Sequence, residues 1–245
     1  MRARNVLALT LLFGTLLAGP AAAQEISVSL GEGGSVSGRT IQLILLITVL
    51  SIAPGLAIMI TCFPFLVTVL AILRQGIGLQ QSPPNMLIVS LALFLTYFVM
   101  EPVFTDAWQN AIQPLIDEQM EVEPALQRAM EPFRGFMAAR IDPETFQTLA
   151  ALRPEDVAEA PTPDAALSVL IPSFMLSEIA RAFQIGFLVF MPFLIIDLVV
   201  AAVLMSMGMM MVPPASVALP FKLAFFVVAD GWSLIAAALV RSYAP

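Results

Sequence analysis

The hydrophobic positions fall into two long apolar blocks that are separated by a polar segment. The first block contains 33 residues without a charge, 41–73, interrupted by Pro54 and Pro64. A straight helix of that length would measure about 50 Å, against roughly 30 Å for the hydrocarbon core of a bilayer, so this stretch must bend, tilt or re-enter. A second apolar run, 86–100, follows a turn-forming Gln/Ser/Pro segment. The pattern predicts a first helical hairpin over residues 41–104.

The polar segment, residues 105–165, carries apolar residues at helical spacing, which predicts small amphipathic helices. Asp142-Pro143-Glu144 has the composition of a helix start, with Asp as the N-cap and Pro at the first helical position. A segment of roughly 60 residues is marginal as an independent domain. We therefore expect it to lean on other chains.

The second apolar block predicts another hairpin, residues 166–245, which turns at Pro213-Pro214. Its arms carry three embedded charges: Asp197, Lys222 and Asp230. The expected fold is an all-α membrane protein, with two long proline-broken hairpins flanking the small helical segment. Proline-broken runs of this length also fit helices that are buried within an assembly.

The N-terminal residues 1–23 are typical of a cleaved secretory signal. Arg2 and Arg4 provide a basic start, and Ala21-Ala22-Ala23 provides small residues before the cleavage point. The alternative is an uncleaved span, but about 14 apolar residues fall short of the roughly 20 that a bilayer requires. Residues 24–40 would follow as a flexible tether, and the acidic segment would be periplasmic.

The composition supports a membrane protein and excludes most enzymes. Hydrophobic residues make up 59% and charged residues 12% of the 245 residues, against roughly 45–50% and 25% in soluble domains. The absence of histidine and the single cysteine exclude a disulfide framework, a clustered zinc site and a His-dependent triad. We expect no catalytic residue, no metal, no cofactor and, without a Walker loop, no nucleotide hydrolysis by that route.

The net charge of −7 opposes nucleic-acid binding, because phosphate neutralisation needs clustered Lys and Arg. The acid is concentrated between Glu101 and Asp164, where 13 acidic residues and four arginines give −9. This acidic segment interrupts an otherwise hydrophobic chain.

The embedded charges Asp197 and Lys222 do not lie level in an idealised hairpin. With straight arms that turn at Pro213-Pro214, they stand about 24 and 12 Å from the turn. An unpaired buried charge is costly, so either an arm is kinked or the two residues pair between neighbouring subunits. We expect a staggered intersubunit ion pair.

The other charges have simpler interpretations. Glu178 and Arg181 are three residues apart and can pair on one helix face. Asp230 is level with Asp197, which raises the alternative of an intramembrane aspartyl protease, but Ile196-Asp197-Leu198 lacks the Gly-x-Gly-Asp pattern of such enzymes. An ion-coupled small-molecule transporter, with the charges as a relay, remains open.

A methionine-rich run precedes the Pro-Pro turn, with five methionines in the seven residues 205–211. One interpretation is ordinary apolar filling at a helix end. The other is a deformable seal, because methionine is flexible and polarisable, and several copies that meet on an axis could close a pore against ions. The residues alone leave both open.

Longer motifs resemble the FliP family of type III export-gate proteins over essentially the whole mature chain. The matching stretches are Gly78-Leu79-Gln80-Gln81-Ser82-Pro83-Pro84-Asn85, Ser177-Glu178, Ala182-Phe183-Gln184-Ile185-Gly186-Phe187, Pro192 with Phe193-Leu194-Ile195-Ile196-Asp197-Leu198-Val199-Val200, Met205 to Met211 with Pro213-Pro214, Leu219-Pro220-Phe221-Lys222, and Asp230-Gly231-Trp232. The chain departs from the family pattern at Ile179-Ala180-Arg181.

The resemblance implies a non-enzymatic subunit of the flagellar export gate. Several copies, expected to be five, would assemble helically with FliQ and FliR in the flagellar basal body of the bacterial inner membrane. With other export-apparatus proteins they would form the channel through which unfolded flagellar subunits are secreted. Met209, Met210 and Met211 would be the pore gasket, and Asp197 with Lys222 the intersubunit ion pair. The related gate of a virulence injectisome is the alternative within this class.

Overall fold

The fold is described from a computed structural model, which covers residues 36–79, 82–153 and 160–243. The expected signal peptide and most of the expected tether lie outside the described residues. Within these ranges the regular structure consists of helices, and no strand occurs. Together with the membrane-length helices described below, this confirms the prediction of an all-α membrane protein.

Nine α-helices follow one another in the described ranges. They are α1 Val36–Met59, α2 Phe63–Ile77, α3 Asn85–Ala107, α4 Gln113–Ile116, α5 Val122–Ala138, α6 Pro143–Ala150, α7 Leu167–Ser206, α8 Pro214–Val228 and α9 Gly231–Arg241. A π-helical turn, Trp108–Ile112, joins α3 to α4. The contacts divide the chain at residue 50 into two units. The packing described below belongs to the second unit.

Two of the described helical stretches are long and apolar enough to cross a membrane. They are Asn85–Ile116 and α7, of 32 and 40 residues. Two bent helix pairs, one ending with α2 and the other formed by α8 and α9, pass the same test only when each pair is taken together, and α8 and α9 meet at 61°. By length and composition the described chain therefore offers two spans, or up to four if each bent pair counts as one.

Prolines mark several helix starts, one of which, at Pro143, was predicted from the sequence. Pro64, Pro143 and Pro214 lie in the first turns of α2, α6 and α8, where the missing N–H would have no intrahelical partner. Asp142 is the N-cap of α6 and accepts a hydrogen bond of 2.9 Å from the Thr145 amide, which confirms the predicted helix start. These hydrogen bonds hold the pKa of the exposed Asp142 carboxyl below its usual value.

The main hydrophobic cluster is built around α2. Its buried positions recur every three or four residues and are fully enclosed: Phe65, Leu66, Val69, Leu70 and Leu73. This face packs against the middle of α7, against α3 and against Phe226 of α8. Such a stripe is the expected signature of a helix that is covered along one side.

A second cluster joins the start of α7 to α5 and α6. Val169, Leu170 and Phe174 on α7 are buried against Met137 at the end of α5 and Phe146 on α6. At 40 residues α7 is about 60 Å long, twice the hydrocarbon thickness, so one helix can serve both clusters at different heights. The polar segment is thereby anchored to the first turns of α7.

Gly186 permits the close approach of α2 and α7. A Cβ at this position would lie 2.4 Å from Ile72 Cδ1 and 3.3 Å from Ile72 Cβ. Because the backbone fixes the position of Ile72 Cβ, a rotamer change alone cannot relieve the tight contact with that atom.

We predict that Gly186→Ala lowers the free energy of unfolding by roughly 1–3 kcal/mol, through overpacking between α2 and α7. The matched control is Gly135→Ala in α5, where nothing lies within 4 Å of the added carbon. That change should be neutral or stabilising by up to about 1 kcal/mol, since alanine favours helix. Thermal unfolding in detergent measures both, and equal effects of the two changes would contradict the packing argument.

Candidate functional site

Lys222, the single lysine of the chain, lies buried where α2, α7 and α8 meet. Only 6% of the residue is exposed. Its Nζ lies 2.6 Å from Asp197 Oδ2 on α7 and donates a hydrogen bond of 3.1 Å to the Gly76 carbonyl on α2. One ammonium group therefore joins three helices.

The structure forms the Asp197–Lys222 pair within one chain. The expected difference in depth, which assumed straight arms that turn at Pro213-Pro214, is therefore wrong, whereas an intersubunit pair stays a prediction. The reason is that α7 ends at Ser206 and not at the Pro-Pro turn. Asp197 is nine residues before that end and Lys222 is eight residues after the start of α8, so the arms measure about 14 and 12 Å. The depth mismatch that motivated an intersubunit pair no longer exists.

The pair is held asymmetrically. Lys222 is almost fully enclosed, whereas about a third of the Asp197 side chain is exposed, at 34%. Asp197 Oδ2 accepts from Lys222, but the enclosed Oδ1 has no hydrogen-bond partner among the described residues. A buried ion pair requires good geometry and satisfied lone pairs to offset desolvation, so removing Asp197, which would leave the enclosed ammonium unpaired, should be strongly destabilising.

Glu178 is the second buried charge, and the expected contact with Arg181 is confirmed but is one of three. Arg181 Nη1, from the next helical turn, is 3.9 Å from Glu178 Oε1. Arg140 Nε approaches the same oxygen to 3.2 Å, and the Tyr243 hydroxyl donates to Oε2. Arg140 and Tyr243 were not predicted as partners, because they are 38 and 65 residues away from Glu178 and no local spacing connects them.

Asp230 occupies the break between α8 and α9. It is exposed, adopts the left-handed conformation with φ 47°, and stands at the N-cap position of α9 without a side-chain capping hydrogen bond. Its Oδ1 accepts a hydrogen bond of 3.1 Å from the Ser233 hydroxyl. An aspartyl protease needs two facing carboxylates that share a proton. Asp197 is instead bound to Lys222.

From Met207 onward the methionine-rich run is a non-helical turn between α7 and α8. Gly208 follows the last turn of α7 with φ 74°, and its amide donates to the Met205 carbonyl, which is typical of a glycine that ends a helix. Met209, Met210 and Met211 come next, and the last two are 84% and 98% exposed. Side chains this exposed do not fill the core of this chain.

A fully apolar groove of about 520 Å³ lies beside this turn. Residues of α7 and α8 line it, together with Met207 and Met209 of the turn. The described residues contain no group of His, Cys, Asp or Glu side chains that could hold a metal ion. This part of the described chain therefore offers an apolar surface and one ion pair, Asp197–Lys222.

Comparison with known proteins gives a consistent result. The model of the FliP family matches residues 46–239. A protein of Caulobacter vibrioides is 50% identical over 231 residues, which is 91% of this chain and 85% of that protein. A protein of Bacillus subtilis is 45% identical over 208 residues, which is 83% of this chain and 92% of that protein. Both relatives are named "Flagellar biosynthetic protein FliP".

We predict that Asp197→Asn alone lowers the free energy of unfolding by about 3 kcal/mol, because it leaves the enclosed Lys222 ammonium uncompensated. Lys222→Met should lower it by less, because the Asp197 carboxylate that remains is partly exposed to solvent. Exchanging the two, Asp197→Lys with Lys222→Asp, should recover part of the loss. Recovery is incomplete because a carboxylate at position 222 cannot donate to the Gly76 carbonyl.

Unfolding in detergent and the amount of protein in the membrane measure these effects. Asp230→Asn is the matched control, since that carboxylate is exposed and should tolerate the change. A double exchange no more stable than the worse single variant would argue against direct pairing.

Proposed function

The chain belongs to the FliP family, and from that membership we propose that it is a subunit of the flagellar type III export gate. The family places it among the membrane components of flagellar biosynthesis and export, not among enzymes. The finer proposal is that it forms, with FliQ and FliR, the inner-membrane channel for unfolded flagellar subunits. The observation that carries this proposal is the exposed methionine turn at the end of a hairpin.

Met209, Met210 and Met211 are proposed as the pore gasket. Met210 and Met211 are 84% and 98% exposed, and adjacent apolar side chains this exposed are unfavourable unless another molecule covers them. Several copies that converge on one axis would cover one another and form an apolar constriction that resists ions. Methionine is flexible enough to move aside for polypeptides of varied sequence.

Assembly with other copies and partners is supported by the unpaired apolar surface of the chain. Phe94, Tyr97 and Phe98 on α3 are largely exposed, as are Val122 and Leu126 on α5. Lipid can cover a membrane helix, but the apolar residues of the acidic segment need protein neighbours if that segment is periplasmic. Five copies around a common axis, with FliQ and FliR, would supply them.

Two alternatives have distinct consequences. A virulence injectisome gate would use the same hairpins, but the relatives compared above carry the flagellar name. A small-molecule transporter would use Asp197 and Lys222 as a relay, whereas here the two charges bind each other. The flagellar gate is therefore the function we propose.

We predict that an in-frame deletion abolishes secretion of hook and filament proteins, and that the gene on a plasmid restores it. Immunoblots of culture supernatants measure the secreted proteins, while blots of whole cells control for their synthesis. Normal secretion and motility in the deletion strain would reject the flagellar role. Export of virulence effectors and uptake of small molecules would then separate the two alternatives.

We predict that replacing Met209, Met210 and Met211 by alanine makes the assembled gate leak ions, because the apolar constriction loses most of its volume. Leucine at all three positions should leak much less, since it keeps the apolar volume. Met86→Ala, at an exposed methionine of the first hairpin, is the control for side-chain loss elsewhere. Ion conductance is measured in cells that accumulate normal amounts of protein. An unchanged conductance in the triple alanine variant would contradict the gasket.

A further inference from the structure

Three segments that are distant in the sequence meet at the buried carboxylate of Glu178. This residue lies on α7, Arg140 follows the end of α5, and Tyr243 follows the end of α9. Glu178 is 0% exposed, and its two oxygens are taken by different partners. Arg140 Nε lies 3.2 Å from Oε1, and the Tyr243 hydroxyl donates to Oε2.

Tyr243 is held by its ring as well as by its hydroxyl. The ring meets Phe65 of α2 edge-on at 5.4 Å between centroids and stacks on Phe136 of α5 at 6.0 Å. The Arg140 guanidinium lies 4.0 Å from the ring centroid, within the range of a cation–π contact. Arg140 Nη1 also donates a hydrogen bond of 2.8 Å to the Ser242 carbonyl.

The polar group of Glu178, Arg140 and Tyr243 lies at the seam between the two hydrophobic clusters of the fold. Phe136 packs against both of them, so the stack that it forms with Tyr243 bridges the seam. One residue earlier on α7, Ser177 Oγ accepts a hydrogen bond of 3.0 Å from the Asp142 amide at the start of α6. The polar segment is thus connected to α7 by polar contacts on two adjacent residues.

We propose that Glu178, Arg140 and Tyr243 form a clasp, in which the residues after α9 hold the polar segment against α2 and α7. Tyr243 is a positioning residue that acts through Glu178 and Arg140. In an export gate the clasp would fix the height and tilt of the polar segment relative to the membrane helices. The clasp is independent of the methionine turn and of the Asp197–Lys222 pair, and it does not require the channel role.

The physical basis is the cost of leaving Glu178 unpaired. A carboxylate removed from water is tolerated only when charged partners and hydrogen bonds replace the water, so loss of one partner weakens the others. Burial, and after it the neighbouring carboxylate, raises the pKa of the Tyr243 phenol, which therefore remains a donor. The clasp should consequently open as a unit.

Cys62 provides a reporter that needs no engineering. It is the single cysteine of the sequence and is fully buried. It belongs to the same hydrophobic cluster as Phe65, against which Phe136 and Tyr243 pack. Opening of the clasp would uncover this cluster and expose the thiol, so the rate of maleimide labelling reports the open fraction.

The test measures maleimide labelling of Cys62 in the full chain, in native membranes. Tyr243→Phe keeps the ring but loses the hydroxyl, and should raise the labelling rate about tenfold, as expected for one lost hydrogen bond to a charged group. Tyr243→Ala should raise it further. The control is Tyr97→Phe, which removes the hydroxyl of a tyrosine at 63% exposure that stacks on Phe104, away from the clasp.

A double-mutant cycle separates a clasp from general destabilisation. In a Glu178→Ala background, Tyr243→Phe should have no further effect on labelling, because the acceptor is already absent. Independent, additive effects would overturn the proposal. So would labelling of Tyr243→Phe at the wild-type rate, a readout that remains available if the alanine variant fails to accumulate.

Discussion

The enclosure of Lys222 is the constraint on which the second hairpin depends. An ammonium group in apolar surroundings must find a carboxylate and further acceptors, and it finds them on two other helices, at Asp197 and the Gly76 carbonyl. This requirement fixes the register of α8 against α7 and brings the end of α2 to the same point. The close approach at Gly186 then sets the distance between α2 and α7.

Ionic contacts tie α7 to its neighbours at two points along its length. Glu178 and Asp197 are 19 residues apart, about 28 Å along the helix, which is close to the hydrocarbon thickness of a bilayer. The contact at Glu178 binds the polar segment and the residues after α9, and the contact at Asp197 binds α8 and α2. Between them the packing is apolar. The methionine turn lies beyond the second point, free of either cluster and exposed.

The sequence predicted the features that depend on neighbouring residues. It did not predict the contacts between residues that are far apart in the chain. The membrane class and the Asp142 cap follow from composition and from a three-residue signal. The predicted separation of Asp197 and Lys222 was wrong because the arms were counted from the prolines. Gly208, a glycine that ends a helix, marks the true end and could have corrected the count. Nothing local connects Arg140 or Tyr243 to Glu178, so that cluster required the fold.

The most direct test of this account is whether positions 197 and 222 meet within one chain. Asp197→Cys and Lys222→Cys together, in a Cys62→Ala background, should be linked by a short bis-maleimide crosslinker in native membranes, because the long lysine side chain that reaches Asp197 spans more than a disulfide can. We predict a monomer of altered mobility on a non-reducing gel, with no ladder of linked chains. A ladder, or a dimer that requires both cysteines, would show that the residues meet between subunits and would contradict closure of the hairpin by its own ion pair.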